Sequence, residues 1–165
     1  MRNIRLLLVA ALLFLQNVLM GQLTQEYKDP FAIYASANDL IIKEKYAAAR
    51  EEYQQLLTCI QDKENPMYIE AEFQIARCSY ELLNSDAKGL LYSFISQHAE
   101  SSYTPLAGFY LGSIYYRDKS WNKAIKAYNE FSPQALSSEQ KHEYYFKKGY
   151  SYFMVENMEE ARGCF

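Results

Sequence analysis

LGSIYYRDKSWNKAIKAY, residues 111–128, carries the most specific pattern in the chain. Its apolar and aromatic residues recur at spacings of three and four, which is the period of a helix rather than of a strand. A small residue, Gly112, stands in the first apolar run, and another, Ala124, stands early in the second. Small residues at these places predict two helices whose backbones approach closely where they cross.

The same spacing returns elsewhere in the chain, so the pattern is an internal repeat. In the second copy the spacing passes through Arg77, Tyr80, Asp86, Gly89 and Ser93, so the apolar residues of the second helix are lost. That register therefore stays uncertain. The residues expected to pack the repeats together are Ala37, Leu40, Ala49 and Tyr53 in the first copy, Tyr80 in the second, Gly112, Tyr115, Trp121, Ala124 and Tyr128 in the third, and Gly149, Tyr152, Ala161 and Phe165 in the fourth.

Helix starts are marked by capping residues and prolines. Asp29-Pro30, Asn65-Pro66 and Thr104-Pro105 each join a side-chain acceptor for free helical N–H groups to a proline, which tolerates the first helical position. Ser137 and Gln140 have the spacing of a capping box. Long helices are therefore expected near residues 30, 66, 105 and 138. Shorter helices are expected near Tyr46, Ala87, Trp121 and Met158, the last three capped by Ser85 or Asp86, by Ser120 and by Asn157.

Eight helices in four pairs predict an all-α protein. One pair cannot bury both of its apolar stripes, so the pairs are expected to stack into a right-handed α-α superhelix. The expected repeats span approximately residues 30–62, 66–99, 104–134 and 138–165, after a polar leader at 22–29. Because the last pair ends on Phe165 without a polar capping helix, we expect further repeats or a dimer mate to cover its C-terminal face.

The pattern of residues 111–128 resembles the tetratricopeptide repeat family. Leu111, Gly112, Tyr115, Ala124 and Tyr128 meet the family pattern W-x2-L-G-x2-Y…A-x3-F…P, although the first Trp is absent. Over residues 30–165 the resemblance implies a superhelical, non-catalytic scaffold that binds protein or peptide partners. In detail the chain is similar to exported envelope members of the family in Gram-negative bacteria, which implies a role in assembly or secretion.

The resemblance also implies where a partner would bind. In this family the first helix of each pair lines a concave groove, and an aromatic groove suits an extended peptide or a partner helix. The alternative interpretation is that part of these aromatic residues only pack between repeats. The candidate groove residues are Tyr34, Asn38, Gln74, Phe109, Ser113, Tyr116, Phe146 and Tyr150.

The first 21 residues predict a secretory signal peptide. Arg2 and Arg5 precede an apolar run from Leu6 to Leu15, and Gly21 supplies a small residue for cleavage. An uncleaved membrane anchor is the alternative. We therefore expect an exported protein in the periplasm or at the periplasmic face of the outer membrane, with membrane contact only through this segment or a partner.

Composition and motifs argue against several classes of function. The formal net charge is −3, whereas nucleic-acid binding needs a concentrated basic surface. The sequence has no Gly-rich phosphate loop and no metalloprotease or hydrolase motif, so no enzyme, cofactor or metal site is expected. His98 and His142 lie in different polar segments and are expected to be solvent-exposed. Two functional alternatives stay open, a docking module of a longer enzyme or signalling protein and a binder of envelope glycans.

Three cysteines lie far apart in the sequence. Cys59, Cys78 and Cys164 show no zinc-site spacing, and each falls in an apolar helical stripe. Buried free thiols are therefore expected, because cysteine in such a stripe behaves as a small hydrophobic residue. A disulfide between Cys59 and Cys78 is the alternative.

Overall fold

The computed structural model describes residues 29–165, and this part of the chain is all helical. The predicted signal peptide at 1–21, its cleavage site and nearly all of the leader lie outside the described residues. Within them the fold class is confirmed, with eight α-helices, one short 3-10 helix and no strand. The helices are α1 (Pro30–Ile42), α2 (Tyr46–Cys59), α3 (Pro66–Glu81), α4 (Ala87–Gln97), α5 (Thr104–Arg117), α6 (Trp121–Glu130), the 3-10 helix (Pro133–Ala135), α7 (Ser138–Met154) and α8 (Met158–Cys164).

The predicted helix starts agree with the structure to within one residue. Asp29 accepts a hydrogen bond from the backbone N–H of Phe31 at 3.0 Å, and Asn65 accepts one from Met67 at 2.9 Å. Each cap precedes a proline at the first helical position. These helix starts are therefore fixed by local chemistry.

Of the remaining predicted caps, some form and others do not. Ser137 and Gln140 form both hydrogen bonds of the predicted capping box. Thr104 does not cap α5, because its hydroxyl donates to the backbone carbonyl of His98 at 2.5 Å. Asn157 accepts from the backbone of Glu160 at 3.3 Å, whereas no side-chain cap forms at the starts of α4 and α6.

All four pairs share one turn between their two helices. In each turn one residue adopts a positive φ, which is uncommon outside glycine. The N–H of the next residue then donates to a carbonyl near the end of the first helix, at 2.8–3.0 Å. The positive-φ residues are Glu44, Leu83, Lys119 and Glu156, and the carbonyl acceptors are Leu40, Ser79, Tyr115 and Tyr152.

This shared turn fixes the register of the second pair, where the sequence prediction is wrong by one residue. The residue that corresponds to Gly112 is Ala76, which is fully buried, and not Arg77. The residue that corresponds to Tyr115 is Ser79, which is also fully buried. Tyr80 consequently corresponds to Tyr116 on the inner side, and not to a residue that packs the two helices of a pair.

A one-residue deletion explains why the register was missed. In the third pair Ser120 accepts a hydrogen bond from the N–H of Ala124, four residues on, whereas in the second pair Asn84 accepts from Ala87, only three residues on. Relative to the shared turn, the second helix of this pair therefore begins one residue earlier than in the third pair. Ala87 and Leu91 are buried at the places predicted for Gly89 and Ser93, and both of the latter are exposed.

The corrected register predicts the effect of Gly89→Ala. A Cβ at Gly89 would have no heavy atom within 4 Å, and the residue lies inside α4. Alanine should therefore stabilise the protein by about 0.4–1 kcal/mol, because it restricts the unfolded chain and favours the helix. Urea unfolding followed by circular dichroism measures this change. A loss of stability would restore the original register, in which Gly89 lies at a helix crossing.

The pairs stack so that their first helices form one layer. Helix α3 contacts α5 and α5 contacts α7, while α2, α4 and α6 each also pack against the first helix of the next pair. Buried residues form two clusters, one around α1 to α3 and one from α3 to α7. This arrangement is that of a helical-repeat solenoid, with the first helices forming its inner surface.

Besides Tyr80, whose register is corrected above, the predicted repeat-packing residues are buried or half-buried, with the exception of Phe165. Leu40, Tyr115 and Trp121 are half-buried, whereas Phe165 has 75% of its surface exposed. The aromatic residue of the second helix also packs inside its own pair, because the ring of Tyr128 lies directly on Gly112. The fully or nearly fully buried members are Ala37, Ala49, Tyr53, Gly112, Ala124, Tyr128, Gly149, Tyr152 and Ala161.

Candidate binding surface

Three aromatic rings from consecutive helices meet at the inner surface. Tyr116 ends α5, Trp121 begins α6, and Tyr150 comes from α7. Each ring contacts the other two edge-on, with centroids 5.6–5.8 Å apart. This aromatic trio is half-buried, so it joins two repeats and still presents ring surface.

Helix α7 extends this aromatic surface. Phe146 and Phe153 lie one turn before and one turn after Tyr150, and each ring centroid is 6.3 Å from that of Tyr150. Phe146 is 54% exposed and Phe153 is 51% exposed. We call these three residues the α7 ridge. In the shared register Phe146 is the counterpart of Phe109, which the following helix pair covers in the third pair. The ridge is therefore an exposed apolar face that a partner protein or a further helix pair can cover.

Two of the predicted groove residues on α5 are buried and cannot contact a partner. Phe109 is 3% exposed and Ser113 is 2% exposed. The Lys147 ammonium lies 5.9 Å from the ring centroid of Phe109, and the Ser113 hydroxyl is 3.1 Å from that of Tyr128. Phe109 therefore packs between repeats, as the alternative interpretation proposed for part of the aromatic residues, whereas Ser113 packs inside its own pair.

Gln74, which was predicted to line the groove, is also buried, and the wrong prediction follows from the register error. Only 7% of its surface is exposed, and its side chain accepts a 3.5 Å hydrogen bond from Arg77. In the corrected register the counterparts of Phe109 and Ser113 are Phe73 and Arg77. Sequence reasoning missed Arg77 as an inner-surface residue because it had been placed at the helix crossing.

The two predicted groove residues on α1 are engaged by neighbouring side chains. The Tyr34 hydroxyl donates to Glu70 at 2.6 Å, and the Tyr53 hydroxyl donates to Asn38 at 2.8 Å. Burial, with Glu70 adding to it, raises the pKa of Tyr34. These bonds hold α1 to α3 and α2, and both residues stay half-exposed.

Charges on the inner surface have both signs. The Lys147 ammonium pairs with Glu143 on α7 and also lies 5.8 Å from the ring centroid of Tyr116. Burial raises the pKa of the Glu81 carboxyl, and Arg77 opposes that rise. The Arg77 Nε atom is buried and has no hydrogen-bond partner within residues 29–165. The charged residues named here are therefore two acidic and two basic, so they give this part of the inner surface no excess of one sign.

Histidine and cysteine predictions are partly wrong. His142 is exposed as expected, whereas His98 is half-buried and pairs with Glu72 at 2.7 Å. All three cysteines are free thiols, without the alternative disulfide. Cys78 is buried as predicted, but Cys59 is exposed and Cys164 is only half-buried, because both lie at helix ends.

Some kinds of site are not observed between residues 29 and 165. No three His, Cys, Asp or Glu side chains there are grouped to hold a metal ion. No helix of this part is long and apolar enough to cross a membrane. The predicted alternative of an uncleaved anchor falls outside these residues.

A comparison with known protein families finds a match in the third helix pair. Residues 106–132 match the family model for the tetratricopeptide repeat. The third pair is a tetratricopeptide repeat. No curated protein matches the chain significantly.

The match covers most of α5 and all of α6, including Gly112, Ala124 and Tyr128. The other helix pairs repeat its inter-helix turn, so residues 29–165 form a helical-repeat solenoid that is consistent with the tetratricopeptide type. Tetratricopeptide repeats generally mediate protein–protein interactions and are generally non-catalytic. A protein-interaction module is therefore the functional class that the match supports.

Proposed function

We propose that the chain is a non-catalytic scaffold, exported to the cell envelope, that binds a protein partner through its inner surface. The α7 ridge beside the aromatic trio is the observation that carries this proposal. It offers exposed rings on a rigid helix, and Tyr150 adds a hydroxyl that can bond to a partner backbone. Such a surface suits an apolar helix face or an extended segment rich in apolar residues.

The envelope location is proposed from the N-terminal sequence. Two arginines, an apolar run and a small residue at Gly21 follow the order of a secretory signal. An interaction scaffold in that compartment fits a role in the assembly of envelope complexes or in secretion. The partner would then be an envelope protein.

A capture experiment tests the proposal. Residues 22–165 serve as bait in a detergent-solubilised cell envelope, and the test variant carries Phe146→Ser and Phe153→Ser. Both side chains are about half exposed, so the fold should tolerate the change, which circular dichroism verifies. The partner should bind the unmodified bait and be lost from the variant, because the variant removes apolar area from the ridge.

Tyr145→Ser is the matched control. Tyr145 is an aromatic residue of the same helix with 41% exposure, but it lies about 100° around the helix from Phe146, and its ring meets that of Tyr144. The control should retain the partner. Equal loss of the partner with both variants would contradict a specific role of the ridge.

A further inference from the structure

A second surface lies on the outer side of the solenoid, in a crevice between α4 and α6. Its floor consists of Leu111 and Ala127, which are 6% and 5% exposed, and its walls are Tyr92 and Tyr115. The volume is about 250 Å³. Tyr92 is 66% exposed, although its ring borders an apolar floor. We call this feature the outer crevice.

The rim of the outer crevice is mainly cationic. Lys123 and Lys126 lie three residues apart on α6, which places both side chains on one face of the helix. The Lys123 ammonium is 5.9 Å from the ring centroid of Tyr115. Within residues 29–165 neither lysine forms an ion pair, and Glu130 is the one acidic residue on the rim.

The crevice one repeat earlier, between α2 and α4, overlaps the corresponding place only in part and is smaller, with a volume of about 140 Å³. Ile75, Leu90 and Ser93 line it at the places of Leu111, Ala127 and Glu130. Gly89 and Asp86 stand at the places of Lys126 and Lys123, and Asp86 is already paired with Arg50. The preceding repeat therefore lacks the positive rim of the outer crevice.

We propose that the outer crevice binds a partner-protein segment in which an aromatic residue is flanked by aspartate or glutamate. The aromatic side chain enters between Tyr92 and Tyr115 and covers the apolar floor. The flanking carboxylates face Lys123 and Lys126, where charge complementarity sets the orientation. This surface is separate from the α7 ridge.

Other anionic ligands fit the crevice less well. The side chains of its floor, Leu111 and Ala127, offer no hydrogen-bonding group to the hydroxyls of a sugar acid. Nucleic acid would meet Glu130 on the rim and a chain of net charge −3. A peptide that combines a ring with nearby carboxylates satisfies both the floor and the rim.

The test is a titration of the isotope-labelled full chain, followed by backbone amide chemical shifts. The probe is acetyl-Glu-Glu-Phe-Glu-Glu-amide, and the comparison peptide carries Ala in place of Phe. We expect the largest shifts around Tyr92, Tyr115, Lys123 and Lys126, and about tenfold weaker binding of the Ala peptide, because the ring supplies most of the buried apolar area.

Charge reversal provides the second arm of the test. Lys123→Glu with Lys126→Glu should weaken binding of the acidic peptide at least about tenfold and should favour acetyl-Lys-Lys-Phe-Lys-Lys-amide instead. Lys45→Glu with Lys63→Glu is the matched control, since it changes the net charge equally at two exposed sites away from the crevice. The control should keep most of the affinity.

Three outcomes would overturn the proposal. The first is equal affinity for the Phe and Ala peptides, which would mean that the aromatic ring contributes nothing and that charge attraction alone causes the binding. The second is a set of shifts outside the crevice. The third is a stronger response of the same amides to polygalacturonate than to the acidic peptide, which would make the ligand a carbohydrate.

Discussion

Tyr128→Ala is expected to lower the free energy of unfolding by about 3–5 kcal/mol, the cost of removing a buried aromatic side chain. Tyr128 is 1% exposed and lies between its own pair and the next. Its ring lies on Gly112 and meets the Tyr144 ring edge-on at 5.1 Å. One truncation therefore weakens two interfaces.

Chemical denaturation with circular dichroism measures this loss. Tyr128→Phe is the conservative control, because it keeps the ring and removes only the hydroxyl that bonds to Ser113 at 3.1 Å. That change should cost about 1 kcal/mol. A similar cost for both variants would mean that the hydroxyl, and not ring packing, dominates at this position.

Gly112→Leu is expected to cost about 2–3 kcal/mol through overpacking. A Cβ at Gly112 would lie 2.6 Å from Cε1 and 2.8 Å from Cδ1 of the Tyr128 ring, closer than carbon atoms can approach. That ring is held on its other side by Tyr144, so it has little room to move. Denaturant unfolding gives the change in stability.

A double variant separates this clash from any general effect on α5. Once Tyr128→Ala has removed the ring, leucine at position 112 should fill the space that the ring leaves. The double variant should then be more stable than Tyr128→Ala alone, so the coupling between the two sites should be at least about 3 kcal/mol, which exceeds the cost of Gly112→Leu by itself. Additive losses would show that Gly112 and Tyr128 do not share the contact.

Helix positions could be predicted from the sequence because their signals are local. Asp29 and Asn65 each cap the helix that follows, and the adjacent prolines restrict the same residues. The register of the second pair could not be predicted in this way. The deletion between Asn84 and Ala87 has no local marker, and only the shared turn reveals it.

Burial on the inner surface was harder to predict, because it depends on the neighbouring repeat. Phe109 occupies a groove position in the family pattern, yet Lys147 of the next repeat covers it. The half-buried pair of His98 with Glu72 likewise joins α3 to the end of α4, across a distance that no spacing rule covers.

The outer crevice was absent from the sequence prediction for a similar reason. Tyr92 and Lys126 come from different repeats, and a spacing rule for one helix cannot place them together. The hollow also depends on the small size of Ala127, which is evident only beside Leu90 in the preceding repeat. Such a comparison needs the corrected register.

We expect the α7 ridge to bind a protein partner. The most direct measurement is the dissociation constant between the captured partner protein and three versions of the bait: unmodified, Phe146→Ser with Phe153→Ser, and Tyr145→Ser. The account predicts at least about tenfold weaker binding for the ridge variant and nearly unchanged binding for Tyr145→Ser. Unchanged binding of the ridge variant, with its helicity intact, would contradict the account.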